Sequence, residues 1–277
     1  MNRISGFNAS AKSLSGHRIM EDQEYDSMAR LESTFWWHRS LHDKVISLLR
    51  KLLDGNHALE LLDVGCGTGG MLRQLERAFP RWRLSGLDVS EKAVSCSLRA
   101  NHADVVVASA NSLPYRDGAF DVLVSLDVMC HDLVCPKRML CECARVLKPE
   151  GIVVLNLPAY RWLRSYHDAH VEQSRRYTIE SLKAEVAKGP FECIFATYWN
   201  ALLFLPMVIR RKVLPGRPSS SDVTDTLPLV NACFTRVMQW ETKILRRGYR
   251  LPFGSSVLFI GRKIGFTVKK DTGAPVV

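Results

Sequence analysis

The chain has 277 residues, 47% hydrophobic and 24% charged, a composition that excludes a disordered or fibrous polymer and suits one large domain with an insertion. The formal net charge of +10 admits an acidic partner such as nucleic acid, a phosphorylated substrate or an anionic membrane, and equally a solubilising charge spread over the surface. The 8 cysteines lack the loop spacing of a disulfide framework, and no apolar run approaches the roughly 20 residues that a membrane span needs.

Residues 1–20 carry Arg3, Lys12 and Arg18, several serines and no acid. A transit peptide shares that flavour, but the stretch reads as a flexible N-terminal arm, and without a secretory apolar core the cytoplasm is the expected location. Residues 21–56 read as a helical lid. Leu41, Val45, Leu48, Leu49 and Leu52 recur at three- and four-residue spacing until Asp54-Gly55-Asn56 ends the run. Phe35-Trp36-Trp37-His38-Arg39 precedes that helix and carries more aromatic area than an exposed arm holds, which points to packing on a sheet edge.

A strand and helix rhythm follows. Residues 59–64 form an apolar run stopped by glycines, the pattern of a buried parallel strand. A helix is predicted over 70–79, a strand over 83–89, a helix start capped by Ser90, and strands over 105–108 and 120–126. A helix over 136–147, the turn Lys148-Pro149-Glu150-Gly151 and a strand over 152–157 complete the alternation. Each parallel pair needs a crossover, so the expected class is α/β, a parallel sheet with helices on both faces. A helix over 178–187, a strand over 191–198 and a closing strand over 255–262 end the main domain, taken as 57–263, with 264–277 as a tail.

Residues 199–254 intervene as an insertion, far longer than an ordinary connection. It holds the apolar run 202–209, then Arg210-Arg211-Lys212, a Pro/Ser-rich loop and a helical stretch over 229–247. The run reads as one buried helix of a cap subdomain; resting on a membrane surface or covering a hydrophobic acceptor are the alternatives. Cys130, Cys135, Cys141 and Cys143 with His131 invite a zinc reading. Cys141 and Cys143, two apart on a predicted helix, point to different faces, so no metal is expected and the cysteines read as small buried side chains in a reducing compartment.

The loop Asp63-Val64-Gly65-Cys66-Gly67-Thr68-Gly69-Gly70 satisfies two fingerprints. Gly65, Gly67 and Gly70 match the dinucleotide pattern, with Asp88 about twenty residues on as the ribose-binding acid. Charge separates the two cofactors. A dinucleotide would lay its pyrophosphate over this loop, close to Asp63 at a Coulombic cost. A cofactor carrying an ammonium and a sulfonium would be attracted there, and Asp88 can accept from both ribose hydroxyls.

The loop resembles motif I of the class I S-adenosylmethionine-dependent methyltransferases. The likeness to the ubiquinone/menaquinone-biosynthesis type runs over residues 59–157 and includes Gly86-Leu87-Asp88-Val89-Ser90, Leu113-Pro114-Tyr115, Phe120-Asp121-Val122-Leu123-Val124-Ser125-Leu126-Asp127 and Arg145-Val146-Leu147-Lys148-Pro149-Glu150-Gly151. It implies a Rossmann-like seven-stranded methyltransferase sheet whose last strand is antiparallel. By that resemblance Asp63, Gly65, Cys66, Gly67 and Gly69 hold the methionine moiety of S-adenosylmethionine and Asp88 its ribose. Val89 packs on the adenine, Ala110 and Asn111 flank the adenine edge, and the Leu126 backbone faces the cofactor amino group. The chain departs from the family pattern at Ser109-Ala110, where an acid often stands, and at Glu150, where the turn usually has a second glycine.

Methyl transfer is an in-line displacement in which charge is dispersed, so alignment can supply much of the rate and a base is needed only if the acceptor must lose a proton. His131, just after the fourth strand, is the first candidate base, with a helix-bracing role as the alternative. His167 and Tyr177 are further candidates, and Arg175-Arg176 is either a solvated helix start or a recognition site for an acidic substrate group. The stretch from 157 to 177 resembles a subgroup with a histidine before the paired arginines, where this chain has Gln173. In similar enzymes the N-terminal helix folds over the cofactor, which makes Arg39 a candidate clamp for the cofactor carboxylate. The expected activity is methylation of a small-molecule acceptor, aromatic or hydrophobic, natural-product or quinone/lipid-like. A nucleic-acid methyltransferase, a non-catalytic cofactor-binding partner protein and an NAD oxidoreductase are the competing readings, the first of these lacking any recognisable RNA-binding module.

Overall fold

The computed structural model describes residues 32, 34–53, 57–100, 103–164, 174–212 and 228–264. Its sheet is built from β1 (Glu60–Val64), β2 (Arg83–Asp88), β3 (Asp104–Val107), β4 (Phe120–Leu126), β5 (Leu147–Pro158), β6 (Phe191–Trp199) and β7 (Ser256–Lys263). The helices are α1 (Trp36–Leu52), α2 (Gly70–Ala78), α3 (Glu91–Ala100), α4 (Pro136–Val146), α5 (Ile179–Val186), α6 (Phe204–Lys212) and α7 (Pro228–Arg246).

The strand order is β3-β2-β1-β4-β5-β7-β6. Neighbours from β3 to β5 pair in parallel, and β7 runs antiparallel between β5 and β6, as the resemblance implies. The order reverses between β1 and β4, and at such a switch point the carboxyl ends of the strands open the crevice in which α/β sheets bind ligands.

Alternation along the central strands divides the core into two layers. Leu62, Val64, Leu123, Val153 and Leu155 pack with α4 and α5 on one face. Leu61, Val122, Val124, Ile152 and Val154 pack with α1, α2 and α7 on the other. The motifs flanking β4 are tied to each other: Arg145 donates to the carbonyls of Leu113 and Tyr115 at 2.9 and 2.7 Å, and Glu142 accepts from the Leu113 amide at 2.7 Å. One salt-bridged arginine thus holds the Leu113-Pro114-Tyr115 turn against α4.

Several sequence-based expectations shift. Trp36 and Trp37 lie inside α1 rather than ahead of it. Lys148-Pro149-Glu150-Gly151 belongs to a strand that begins at Leu147, with Glu150 in the left-handed region at φ +63°, the conformation that a glycine adopts without strain. Cys141 is exposed and Cys143 buried, opposite faces as their spacing requires, but Cys135, Cys193 and Cys233 are also exposed, so the cysteines are not uniformly buried. The run 202–209 is not one buried helix: Leu203 is buried, while Leu202, Leu205 and Ile209 are exposed.

The insertion is fastened to the sheet by a buried ion pair. Lys44 of α1 and Glu241 of α7 are both fully buried, 3.6 Å apart, and the ammonium sits 4.7 Å from the centre of the Trp199 ring at the end of β6. Glu241 also accepts from the amides of Asn200, Ala201 and Leu202 at 2.6, 2.8 and 3.3 Å, so it caps the turn that leaves β6. Removing one partner of such a pair strands a charge out of water. Glu241→Ala is therefore expected to lower the unfolding free energy by about 3–5 kcal/mol, seen as a lower urea midpoint at an unchanged slope. A combined Lys44→Met, Glu241→Gln variant is expected to recover part of that loss.

Candidate cofactor and acceptor site

Asp63 is the penultimate residue of β1 and Asp88 the last of β2, both at the carboxyl edge, and the glycine loop turns between them. The amides of Gly65 and Cys66 both donate to the Leu87 carbonyl, at 2.8 and 2.9 Å, which pins the loop to β2. Gly65, Gly67 and Gly69 adopt φ of +77°, +53° and +84°, the region that glycine enters without a Cβ clash. A Cβ on Gly65 would also collide with Val128, so the space against the loop after β4 exists only with glycine there.

Asp63 is buried, and among the described residues its Oδ2 has no hydrogen-bond partner. Burial, reinforced by the charges of Glu32 and Asp88, pushes its carboxyl up to about 8. Asp88 is held differently. Its Oδ2 accepts from Gly67 N at 3.0 Å and its Oδ1 from Ser90 N at 2.9 Å, while burial raises its pKa. Each of its oxygens keeps a second lone pair for a ribose hydroxyl. Val89 beside it is exposed, a free apolar face. A buried carboxyl with one unpartnered oxygen next to a loop of backbone N–H groups suits a ligand that brings a cation, which favours its ionised form; a pyrophosphate would keep it protonated and gain no such attraction.

Cys66 is buried and burial pushes its thiol up, so it is a neutral packing group of the loop. Ala110 is buried. The Asn111 side chain donates to the Leu133 carbonyl and accepts from Cys135 N, both at 2.8 Å, and so its amide ties the stretch after β3 to the one after β4. Leu126 is half-buried at the end of β4, paired with Asn156 of β5.

His131 lies half-buried in the loop after β4. Its carbonyl accepts from Arg175 Nη1 at 2.6 Å, and a second bond from the same nitrogen reaches the Val134 carbonyl at 3.1 Å. Arg176 donates to the Ala159 carbonyl at 2.8 Å and is buried. Both arginines brace the backbone, which corrects the reading of a solvated helix start. Tyr177 is a core residue whose hydroxyl, raised to about 12 chiefly by burial, donates to the Met129 carbonyl at 3.5 Å. Its burial and this bond fit bracing of the loop after β4. His167 lies outside the described residues.

Arg39 is exposed on the first turn of α1, where its charge is felt by Asp43. Trp36 packs edge-on against Phe234 of α7 at 5.4 Å, and Trp37 lies 5.6 Å from Trp199, which shows the aromatic segment joining the insertion and the sheet edge. His38 and His42 are driven down to about 4 and about 3, in each case first by burial, so this face of α1 is neutral.

Two acids stand at the site without having been singled out from the sequence. Glu32 is buried, bonded to Arg73 Nη2 at 3.0 Å, and its Oε2 lies 2.5 Å from where a Cβ on Gly70 would be. Nothing local marks it, because its neighbours Arg73 and Gly70 of α2 lie far along the chain. Asp127 follows β4 as Asp63 and Asp88 stand at the carboxyl ends of β1 and β2, and that shared pattern is a signal that could have found it. It sits in the left-handed region at φ +58°, both oxygens accept from Asn156 Nδ2 at 3.1 and 3.0 Å, and burial, opposed by Asn156 and Arg176, brings its carboxyl to about 7. Asn156 in turn accepts from Trp199 Nε1 at 2.7 Å, which links Asp127 to the seam between α1 and α7.

This fold and this ring of acids around a glycine loop define a class I methyltransferase architecture. Residues 62–155 match the family model described as a methyltransferase domain. The chain is 30% identical over 137 residues to demethylmenaquinone methyltransferase of Thermotoga maritima, covering 49% of this chain and 57% of the relative. It is 31% identical over 140 residues to malonyl-[acyl-carrier protein] O-methyltransferase of Hahella chejuensis, covering 48% and 50%. The fold is similar to that of phosphoethanolamine N-methyltransferase 2 of Haemonchus contortus, solved with S-adenosyl-L-methionine, with a TM-score of 0.57, 14% identity, and coverage of 88% of this chain and 58% of that one. The chain spans about half the length of the curated relatives it matches. Residues 62–155 thus form a methyltransferase domain, similar over this stretch to that of demethylmenaquinone methyltransferase.

If Asp63 receives the cofactor's ammonium, its titration makes cofactor binding pH-dependent. Below about pH 8 the free protein holds a proton on Asp63 that a bound ammonium displaces, so binding releases a proton. Affinity for S-adenosylmethionine is expected to climb by up to about tenfold per pH unit between pH 6 and 8. Calorimetry in buffers of different ionisation enthalpy reads the released proton directly, and Asp63→Asn should release none.

Proposed function

We propose that this protein transfers the methyl group of S-adenosylmethionine to a small hydrophobic acceptor. The observation that carries the cofactor half is the buried Asp63 carboxylate with an unpartnered oxygen beside the glycine loop. In this reading Asp63 and the backbone of Gly65, Cys66, Gly67 and Gly69 receive the methionine end, Asp88 accepts from the ribose hydroxyls, and Val89 covers one face of the adenine. Ala110 and the Asn111 backbone flank the ring edge, and the Leu126 backbone completes the cradle. Bound there, the cofactor supplies an electrophilic methyl group on a sulfonium.

The protein's share of the chemistry is alignment and exclusion of water. His131 and Asp127 stand on the same strand edge, and either is placed to take a proton if the acceptor must lose one. The relatives are named for a menaquinone precursor, a malonyl carrier protein and phosphoethanolamine, so the domain accommodates different acceptors. Acceptor choice in this reading belongs to the parts outside residues 62–155: the aromatic start of α1, the turn after β5 and the insertion. The ring contact of Tyr160 with Phe204 in those parts supports a hydrophobic acceptor.

Side-by-side calorimetry with S-adenosylmethionine, S-adenosylhomocysteine and NAD is expected to show binding of the first two only; tight NAD binding alone would overturn the reading. Transfer of a labelled methyl group to a component of a lipid extract is the next expected result. Arg39, exposed on the first turn of α1, is proposed to meet the cofactor carboxylate. Arg39→Ala is then expected to weaken cofactor binding by about tenfold, equivalent to about 1.4 kcal/mol, and an unchanged affinity removes Arg39 from the site.

A further inference from the structure

Three segments meet at the carboxyl edge of the sheet, beyond β5 and β6: the turn Arg161–Leu163, the insertion through α6, and residues 249–255 before β7. Their rings touch in series. Tyr160 lies 5.8 Å from Trp162 and 6.0 Å from Phe204, Trp162 lies 6.1 Å from Phe204, and Phe204 lies 5.6 Å from Phe253. Leu203 is buried beneath them, while Leu202, Leu205 and Ile209, at the spacing of one helix face, point outward. Leu205 is 67% exposed, Leu202 53% and Trp162 51%, and Phe253 and Ile209 are exposed as well. Contiguous apolar area of this kind on a folded protein marks a surface that is covered in use.

The charges around it choose the cover. Among the described side chains the exposed cations beside it include Arg161 and Arg164; the acids of this region are Glu241, buried and paired with Lys44, and Glu180, whose charge reaches Tyr160. Two copies meeting through this face would set like charges against like charges. Trp162 and Phe253 could each stack a base, but the exposed aliphatic side chains Leu202, Leu205 and Ile209 outnumber them and offer no stacking, so the face suits an apolar phase better than a nucleic acid. An apolar centre with a tryptophan and a rim of arginines is instead the pattern of an interfacial segment whose apolar residues enter the headgroup boundary while its cations meet anionic lipid. Among the described residues no helix is long and apolar enough to cross a membrane, so the contact would be peripheral.

We propose that this face is a docking surface for an anionic bilayer, with Trp162, Leu202, Leu205, Ile209 and Phe253 inserted and Arg161 and Arg164 at the headgroups. The surface borders the proposed acceptor edge, so a docked protein would have that edge facing the lipid. This inference goes beyond the proposed activity and stands whether or not the acceptor is a lipid.

The test uses the full chain and flotation with vesicles of phosphatidylcholine alone, or with about one third phosphatidylglycerol, a charge-driven contact being one that salt weakens. The expected result is binding to the anionic vesicles only, diminished by salt. A Leu205→Ser, Ile209→Ser variant is expected to lose at least tenfold in binding, and Arg161→Glu, Arg164→Glu to do the same, while both keep the wild-type affinity for S-adenosylmethionine as evidence of an intact fold. No binding of the wild-type chain to anionic vesicles, or binding untouched by both variants, would overturn the proposal. So would self-association in sedimentation, or retention on RNA, that depends on these same residues.

Discussion

A fully buried ammonium is the constraint on which the closure of this molecule depends. Lys44 is fully buried, and burial lowers it to about 8 even with Glu241 at 3.6 Å. Its compensation comes from two other elements, the Glu241 carboxylate of α7 and the indole face of Trp199 at the end of β6. The pair therefore requires α1, α7 and the sheet edge to stand together. Because Trp199 also donates to Asn156, and Asn156 to Asp127, the same cluster sets the geometry at the end of β4. A buried pair of this kind is a poor source of stability but a strong source of specificity of arrangement in this protein, since misplacing any partner leaves a charge uncompensated.

The site is organised by a second electrostatic tension. Three carboxyls, Asp63, Asp88 and Asp127, lie at or just past the ends of neighbouring strands, and burial raises all three. Asp88 is relieved by two backbone amides and Asp127 by an asparagine, whereas Asp63 keeps one oxygen without a partner. That difference explains why charge, rather than the glycine spacing, separates a sulfonium cofactor from a dinucleotide. The glycines create room for backbone approach in either case; the carboxylates decide what sign of ligand is welcome.

Much of the fold was legible in the chain. The buried strands β1, β4 and β5 announce themselves as apolar runs, and their alternation with helices calls for parallel pairing. The same reading misplaced residues whose environment is set at a distance. Tyr177 and Arg175 look like site residues because they are polar and near the fifth strand, yet they brace the loop after β4 from below. Glu32 had no local signature because its burial is made by α2, and the run 202–209 was taken for a buried helix because apolarity alone does not say which side of a helix is covered.

The sequence by itself determined the sheet, the cofactor loop and the identity of the acids at its edge, since strand periodicity, glycine at positive φ and the sign of a side-chain charge are local properties. Only the tertiary structure decided which of those acids is left without a partner. It also decided which cations serve as braces, and that Leu202, Leu205 and Ile209 of the insertion are exposed near the turn after β5. These are matters of burial and partnership, and both depend on residues far apart in the chain, as Lys44, Trp199 and Glu241 are.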